Sequence, residues 1–312
     1  MTRCLAYGRT TLVRRSVLWI GGLCVAATIT LVDSTARTED SPPATTAEKT
    51  KESTKESSEE KAARERKERY LVWMTKHASD TEVMVASPDG GPMQPATRSE
   101  KAIFRYSDEE HRIPDATLWV WTRDNRLVAF QKVEGNNFGG GRAGTICFTS
   151  ASERLISAKW PSRAEFKATK PGVTFRPIPD APPPSANPRT RAAQFRELKD
   201  RFTARLGNSS GNDVAAARTL PKPLFEYFEP DSKLPVGAVF GMTSTGTNPN
   251  FLLVLEVRSD SEGQPRWEYA HARMTGSAVE FRYDDTVLVA EKGMASGNFG
   301  NWIFFFMERN FD

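Results

Sequence analysis

Among residue types that could do chemistry, a histidine beside aromatic residues is the most suggestive feature of this sequence. His271 follows Trp267 and Tyr269 at spacings of four and two residues, so on a β-strand the three side chains share one face. A histidine between aromatic rings could serve as a general base in a small pocket. An internal repeat aligns His271 with Ile146, which favours a histidine packed in or beside the core. His271 is the one candidate catalytic residue, and both interpretations stay open.

The other histidines and the cysteine have simpler interpretations. His77 falls on the apolar stripe of a predicted helix, and His111 falls in a loop before Pro114. No spacing of cysteine and histidine suits zinc, so no metal site is predicted. Cys147 is the one cysteine outside residues 1–36, and no neighbouring base is indicated, so it is predicted to be a small buried side chain in a strand.

No motif for a cofactor or for a serine nucleophile is present. Residues 139–141 are three glycines followed by Arg142, but they join two predicted strands, whereas phosphate loops lead into a helix. A Gly-x-Ser-x-Gly turn is absent, and Ser296 falls in a predicted turn. The acidic residues at 108–110 and 284–285 lack the spacing of a calcium loop. No cofactor is predicted, and these absences favour a protein without catalytic activity.

The charge distribution excludes one class of partner. The formal net charge is +4, but residues 1–36 hold four arginines and one aspartate, so the rest of the chain carries +1. Nucleic-acid binding needs a concentrated basic face, and a nearly neutral chain gives no electrostatic reason for one. No nucleic-acid partner is predicted.

The N-terminal residues have the pattern of an export signal. Arg14 and Arg15 precede the uncharged residues 16–32, and the small residues Ser34 and Ala36 follow. Residues 1–36 are therefore predicted to be either a signal peptide cut before Arg37 or a retained anchor that uses residues 16–32. The protein is expected in the periplasm, the envelope or the extracellular space, and a membrane partner is expected only if the segment is retained. Residues 37–57 are polar and charged and are predicted to form a disordered tether.

An internal repeat sets the predicted architecture. The segments 103–106 and 113–119 reappear as 224–227 and 234–240 at a constant offset of 121 residues, with Tyr106 matched to Tyr227 and Pro114 to Pro235. We therefore predict an α+β fold of two tandem repeats, each a helix packed on an antiparallel β-sheet, as in cystatin-like or NTF2-like folds by analogy. The units span residues 58–170 and 189–312, and residues 171–188, with seven prolines, form a linker between them.

The predicted elements follow from apolar periodicity and from turn residues. Helices are expected from Ser58 to about His77 and from Pro188 to about Leu206. Strands are expected at 102–106, 116–122, 126–134, 144–150, 153–159, 164–168, 223–228, 236–243, 250–258, 266–274, 278–284, 286–291 and 302–307. The last of these has no counterpart in the repeat and must pair within the second unit or bridge the two.

Three segments give the chain a resemblance to known sequences. They are 177–182 (PIPDAP), 116–121 (ATLWVW) and 221–227 (PKPLFEY). In these segments the chain resembles a group of uncharacterised exported proteins of planctomycete bacteria, over about residues 70–292. The resemblance implies export and an unknown role, and it implies no catalytic residues.

Two functions are compatible with these observations. A non-catalytic binding or scaffolding protein of the cell envelope, with an unknown protein or envelope ligand as partner, is favoured by the tether and by the lack of a catalytic motif. The alternative is a secreted hydrolase with a pocket near His271. A deep cleft that gathers His271, acidic side chains and a serine would distinguish the second from the first.

Overall fold

A computed structural model describes residues 57–138, 141–161, 163–207, 215–230, 232–294 and 297–308. Helix α1 (Ser58–Ser79) begins at a capping box. The Ser57 hydroxyl accepts a hydrogen bond from the Glu60 amide at 3.2 Å, and the Glu60 carboxylate accepts one from the Ser57 amide at 2.8 Å. The predicted start of the first helix at Ser58 is confirmed. Residues 1–56, which contain the predicted leader and nearly all of the tether, lie outside the described residues.

Helix α2 (Pro188–Asp200) starts as predicted but ends earlier. The Asn187 side chain caps its first turn, and Pro188 occupies the first helical position. The predicted end near Leu206 is wrong, because residues 202–207 form a strand in which Phe202, Ala204 and Leu206 are buried and the residues between them are exposed. This alternation has the period of two that a strand requires. Neither α1 nor α2, the helices that the structure describes, is long and apolar enough to cross a membrane.

Twenty strands are assigned within the described residues. Those before α2 are β1 (Glu82–Val85), β2 (Gln94–Pro95), β3 (Thr97–Arg98), β4 (Phe104–Asp108), β5 (Ile113–Arg123), β6 (Arg126–Phe138), β7 (Gly141–Ser150), β8 (Ile156–Trp160), β9 (Arg163–Lys167) and β10 (Arg176–Pro177). Those after α2 are β11 (Phe202–Gly207), β12 (Ala215–Thr219), β13 (Phe225–Phe228), β14 (Pro235–Thr243), β15 (Phe251–Ser259), β16 (Pro265–Arg273), β17 (Ala278–Tyr283), β18 (Thr286–Glu291), β19 (Gly297–Asn298) and β20 (Trp302–Glu308).

The strands form three antiparallel sheets. A four-stranded sheet has the order β2-β1-β8-β9, and a seven-stranded sheet has the order β19-β20-β7-β6-β5-β3, with β4 also paired to β5. A nine-stranded sheet has the order β10-β16-β15-β14-β12-β11-β17-β18, with β13 also paired to β14. Strand β20 pairs with β7, so a late segment of the chain completes the sheet of the first half.

The two larger sheets pack against each other through a shared apolar core. Leu118, Val120 and Phe130 of the seven-stranded sheet lie in one cluster with Leu252 and Val254 of the nine-stranded sheet. Separate clusters lie on the other faces, where Tyr70 and Met74 of α1 pack on one side and Phe195 and Leu198 of α2 on the other. The central strands β5, β6, β14 and β15 are therefore covered on both faces.

The predicted α+β fold class is wrong. The structure does not consist of two tandem repeats that are each a helix packed on a sheet in a cystatin-like or NTF2-like wrap. The described residues are predominantly β, with three antiparallel sheets and two helices. Residues Lys55–Asp312 form one compact unit. The prediction failed because the central strands are buried on both faces, at residues 116–121 and 251–255. A helix covers one face of these strands, and the other sheet covers the second face.

Strand registers agree around the segments that are similar in sequence. Tyr106 lies opposite Ala116 in β4–β5, and Tyr227 lies opposite Gly237 in β13–β14, at the same offset of 121 residues. Further along, Leu118 and Val239 are again related by the offset of 121 residues. Lys132 lies opposite Leu118 and Val254 lies opposite Val239, so Val254 corresponds to Lys132. The offset between the corresponding residues is therefore 122 at this point of the sheets.

The proline-rich segment 171–188 packs along the nine-stranded sheet. Arg176 and Pro177 pair with Tyr269 and Glu268 of β16, and the Pro179 carbonyl accepts a hydrogen bond from the Tyr283 hydroxyl at 2.7 Å. Ile178 is buried in the same core as α2. This segment is held in place by the sheet at several points along its length.

Candidate functional site

His271 lies on β16 among aromatic rings at the edge of a cavity. Its imidazole stacks on Phe251, with ring centroids 5.2 Å apart and planes 14° apart, and it contacts Phe281 at 5.3 Å. By strand register His271 corresponds to Phe148, because it lies opposite Leu253 as Phe148 lies opposite Gln131. The predicted alignment of His271 with Ile146 is therefore off by two residues, although Phe148 is also a core residue. The adjoining cavity has a volume of about 330 Å³ and is also lined by Arg176 and Glu291.

The surroundings of His271 make it a poor general base at neutral pH. Burial lowers its pKa to about 4, although the negative charge of Glu291 acts in the opposite direction. A general base is most effective when its pKa lies near the operating pH. Within the described part of the chain, no hydrogen bond joins His271 to a carboxylate or to a hydroxyl group. Glu291 lines the same cavity, but no serine is among the described residues that line it.

The remaining residues considered from sequence do not assemble with His271. His77 is half-buried on α1 and contacts Trp73 edge to face at 4.6 Å. Cys147 is buried in β7 as predicted, and burial raises the pKa of its thiol to about 12, so it stays protonated. Asp284 lies in the turn after β17 and pairs with Arg201 at 2.6 Å. Gly139, Gly140 and Ser296 lie outside the described residues. Among the residues that the structure describes, no group of three or more histidine, cysteine or acidic side chains is placed to hold a metal ion.

A row of polar side chains that sequence did not predict crosses the seven-stranded sheet. Tyr106, Ala116, Glu134, Thr145 and Phe306 lie opposite one another on β4, β5, β6, β7 and β20. Residues in register on neighbouring strands point to the same face of a sheet. This face looks toward the nine-stranded sheet. Four members of the row, Tyr106, Ala116, Glu134 and Thr145, are therefore buried between the two halves of the molecule, whereas Phe306 is more than half exposed.

Lys132 and Asn136 extend this row along β6. Both lie two residues from Glu134 and so share its face. The Lys132 ammonium is 1% exposed, donates to the Asn248 Oδ1 at 2.5 Å and to the Met274 carbonyl at 2.9 Å, and lies 3.9 Å from Glu134 Oε1. Burial lowers the pKa of Lys132, and the nearby Glu134 charge opposes that shift. The amine is thus held by acceptors from both halves of the chain.

Asp108 links the row to the loop between β14 and β15. Its side chain is 1% exposed and accepts hydrogen bonds from Thr245 Oγ1 at 3.1 Å and Asn248 Nδ2 at 3.1 Å, and it pairs with His111 Nδ1 at 2.9 Å. Burial raises the pKa of Asp108, but these hydrogen bonds outweigh it, and the pKa lies below its ordinary value. The hydrogen bond with Asp108 in turn raises the pKa of His111.

Part of this polar group borders a cavity of about 190 Å³, which we call the lysine pocket. Lys132, Glu134 and Asn136 form its inner part, and the half-exposed ring of Phe306 stands at its mouth. The other lining residues are His111, Ile113, Asn248, Asn250, Met274, Thr275, Gly276, Ser277 and Phe304. The pocket is therefore polar inside and aromatic at its opening.

A second pocket lies beside Glu256 of the nine-stranded sheet, the residue that corresponds to Glu134. The Tyr227 hydroxyl donates to Glu256 at 2.5 Å, as the Tyr106 hydroxyl donates to Glu134 at 2.7 Å. Arg126 and Arg258 also contact Glu256, at 2.8 Å and 3.4 Å. The cavity beside them has a volume of about 440 Å³. Its arginines are neutralised by carboxylates, since Arg258 also pairs with Glu153 at 2.9 Å.

No family model, curated protein or solved structure matches this chain. The resemblance to exported proteins of planctomycete bacteria accordingly stays a prediction. A function has to be argued from the pockets themselves and from the N-terminal sequence.

Sequence alone offered little signal for the lysine pocket. Lys132 and Glu134 alternate with apolar residues in the predicted strand 126–134, and Asn136 lies two residues beyond its predicted end. The same alternation is typical of a strand with one face in water. Asp108 stands in a run of acidic residues that is typical of a solvent-exposed turn. The partners of Lys132 and Asp108 include Asn248, and Lys132 also contacts Met274; both partners lie more than a hundred residues away in sequence.

Proposed function

We propose that the protein is an exported, non-catalytic binding or scaffolding protein of the cell envelope. The observation that carries the non-catalytic part is the pairing of its buried charges. Lys132 is held by two acceptors, Asp108 by three partners, and Glu256 by a tyrosine and two arginines. Groups fixed in this way are held in place by partners within the protein, whereas a catalytic nucleophile or base needs an open position toward its substrate.

Export is supported by the N-terminal sequence. Two arginines precede an uncharged run of seventeen residues at 16–32, and small residues follow at 34 and 36. The same segment would tether the protein to a membrane if it were retained. In both cases residues 37–57 would separate the folded part from the membrane or from the new N-terminus.

The alternative, a secreted hydrolase with a pocket near His271, has one observation in its favour. His271 does border a cavity of about 330 Å³. A pKa of about 4 weighs against it, and no hydroxyl or carboxylate among the described residues is hydrogen-bonded to His271. The non-catalytic proposal therefore has the better support.

Two measurements test the proposal. Cell fractionation with N-terminal sequencing should find the protein outside the cytoplasm, beginning near Arg37 if the leader is cut or at Met1 if it is retained as an anchor. A soluble cytoplasmic protein with Met1 intact would refute export. The purified chain should not turn over chromogenic esters, amides, phosphates or glycosides. Turnover that disappears in His271→Ala, while Phe228→Ala remains active, would refute the non-catalytic proposal in favour of the hydrolase.

A further inference from the structure

We infer that the cavity beside His271 binds a small organic carboxylate with an apolar body, and that Arg176 pairs with the carboxylate. This cavity lies between residues 170–176 and strands β16 and β18, and we call it the histidine cavity. The inference rests on the proposed binding role and specifies the class of ligand. It follows from open hydrogen-bonding positions, positive charges and apolar walls that meet in one place.

The histidine cavity lies where the pairing of β10 with β16 ends. Arg176 lies opposite Tyr269, so the same register continued by two residues on each strand would place Thr174 opposite His271. That pair does not form. Thr174 and His271 both line the cavity instead, which occupies the space between the two diverging chains.

The backbone groups of His271 and Thr174 are open at this point. The Trp267 carbonyl accepts a hydrogen bond from the Ile178 amide at 3.0 Å, so alternate residues of β16, including His271, direct their backbone groups toward this edge. Among the residues that the structure describes, none forms a hydrogen bond with the backbone N–H or C=O group of His271 or Thr174. These two N–H groups are therefore free to donate to a ligand.

Contacts with the rest of the molecule hold the diverging segment away from β16. The Gly172 amide donates to the Ser152 carbonyl at 2.8 Å, and the Gly172 carbonyl accepts from the Asn301 side chain at 3.2 Å. The Thr169 amide donates to the Gly300 carbonyl at 2.8 Å. The opening is therefore built into the fold, and a ligand can enter without separating a strand pair.

The charges around the cavity favour an anion. Lys170 and Arg176 line it, and within the described part of the chain neither of them forms an ion pair. Glu291 also lines it, but the Arg273 guanidinium lies 3.0 Å from that carboxylate and neutralises it. Besides burial, the positive charge of Arg176 lowers the pKa of His271, so the free charge and the open edge of β16 address the same space. A guanidinium can bind a carboxylate through two parallel hydrogen bonds.

The remaining walls indicate that the ligand has an apolar body. Leu288 and Val289 of β18 lie on one side and the ring of Tyr269 lies on β16. The volume of about 330 Å³ falls at the lower end of the range of roughly 300–1,000 Å³ that is typical of small-molecule sites. One ring or a short aliphatic chain would fill this space, with its carboxylate toward Arg176. An inorganic anion would leave the apolar walls uncovered.

Titration of the full chain with benzoate, hexanoate and N-acetylphenylalanine, at neutral pH and constant ionic strength, tests the inference. The three probes distinguish an aromatic acid, an aliphatic acid and a peptide terminus as the source of the carboxylate. At least one should bind saturably and shift the NMR signals of the His271 ring, which are assigned by their loss in His271→Phe. Acetate and phosphate lack the apolar body, and benzyl alcohol lacks the charge, so each should bind at least about tenfold more weakly.

Arg176→Gln should weaken binding of the best probe by about tenfold or more, which corresponds to about 1.4 kcal/mol. The matched control Arg196→Gln removes the same charge from an exposed residue of α2 that does not line the cavity, and it should bind as the wild type does.

Three results would overturn the inference. They are the absence of binding that shifts the His271 signals, binding to Arg176→Gln that equals binding to the wild type, and binding of acetate, phosphate or benzyl alcohol as tight as that of the best probe. Each would leave the non-catalytic function standing, because that function is tested separately by fractionation and by turnover.

Discussion

The pKa of His271 predicts a specific loss of stability in mild acid. In the folded protein the imidazole lies between Phe251 and Phe281, and burial lowers its pKa from an ordinary value of 6.5 to about 4. Between these two values the unfolded chain binds a proton that the folded chain excludes. The contribution of His271 to stability is therefore fully present above pH 6.5 and is lost as the pH falls toward 4.

The size of the effect follows from the two pKa values. One pKa unit corresponds to about 1.4 kcal/mol, so the complete loss, well below the folded pKa, would be about 3 kcal/mol. Between pH 7.5 and pH 5 the linkage relation gives a loss of about 2 kcal/mol. His271→Phe removes the titrating group and keeps an aromatic ring of similar size. At pH 7.5 this substitution should change the free energy of unfolding by less than about 1.5 kcal/mol.

Urea denaturation at pH 7.5, 6 and 5 measures the prediction. The stability of His271→Phe relative to the wild type should rise by about 2 kcal/mol on going from pH 7.5 to pH 5. Carboxylates that titrate in the same range contribute equally to both proteins and cancel in the difference. Parallel pH profiles for the two proteins would show that His271 is solvated and would refute its burial among the aromatic rings.

Three further predictions concern the polar row and the cysteine. Lys132→Met should lower the free energy of unfolding by about 3–5 kcal/mol because Glu134 loses its buried cation. The control substitution Lys76→Met, on the exposed side of α1, should lower it by under about 1 kcal/mol. Equal losses for the two variants in urea titrations would contradict this prediction. The pKa of His111 is raised, so its pairing with Asp108 stabilises the fold below pH 6.5, and this stabilisation is lost as the pH rises through the folded pKa. Because His111 is half-exposed, His111→Gln should lower the free energy of unfolding at pH 6 by under about 1 kcal/mol. An NMR titration that gave a lowered pKa for His111 would refute this prediction. A thiol reagent should label Cys147 only after denaturation, and fast labelling of the folded protein would show that the thiol is not buried.

Sequence predicted the longer strands well because each carries its own signal, whereas β1, β11 and β12 were not predicted. The strands from Ile113 to Ser150 and from Pro235 to Glu291 lie close to their predicted bounds. Continuous apolar runs and intervening turn residues are local features, and they mark strands whether or not the packing is known. The strand at 302–307 was also predicted, with two alternatives for its pairing, either within the second unit or as a bridge between the two units. The observed pairing with β7 is the second alternative.

The fold class and the polar row could not be predicted because they depend on distant contacts. Burial of a central strand on both faces does not say whether a helix or a sheet covers each face. Strand β11 was hidden by Phe202, whose position also continues the apolar stripe of α2. For the lysine pocket, nothing local distinguishes Lys132 in contact with Asn248 and Met274 from a lysine in water.

The pairing of β20 with β7 has a consequence for the order of folding. Ile303 lies opposite Phe148, so the edge of the seven-stranded sheet beyond β7 is covered only when residues 302–308 have been synthesised. Contacts between residues so far apart in sequence form slowly, and an uncovered strand edge invites aggregation in the interval. A nascent chain would therefore expose the edge of β7 from the synthesis of that strand until residues 302–308 have been made. Holdase chaperones, or transport across a membrane before folding, would protect that edge, and deletion of residues 302–308 should leave a protein that aggregates during refolding.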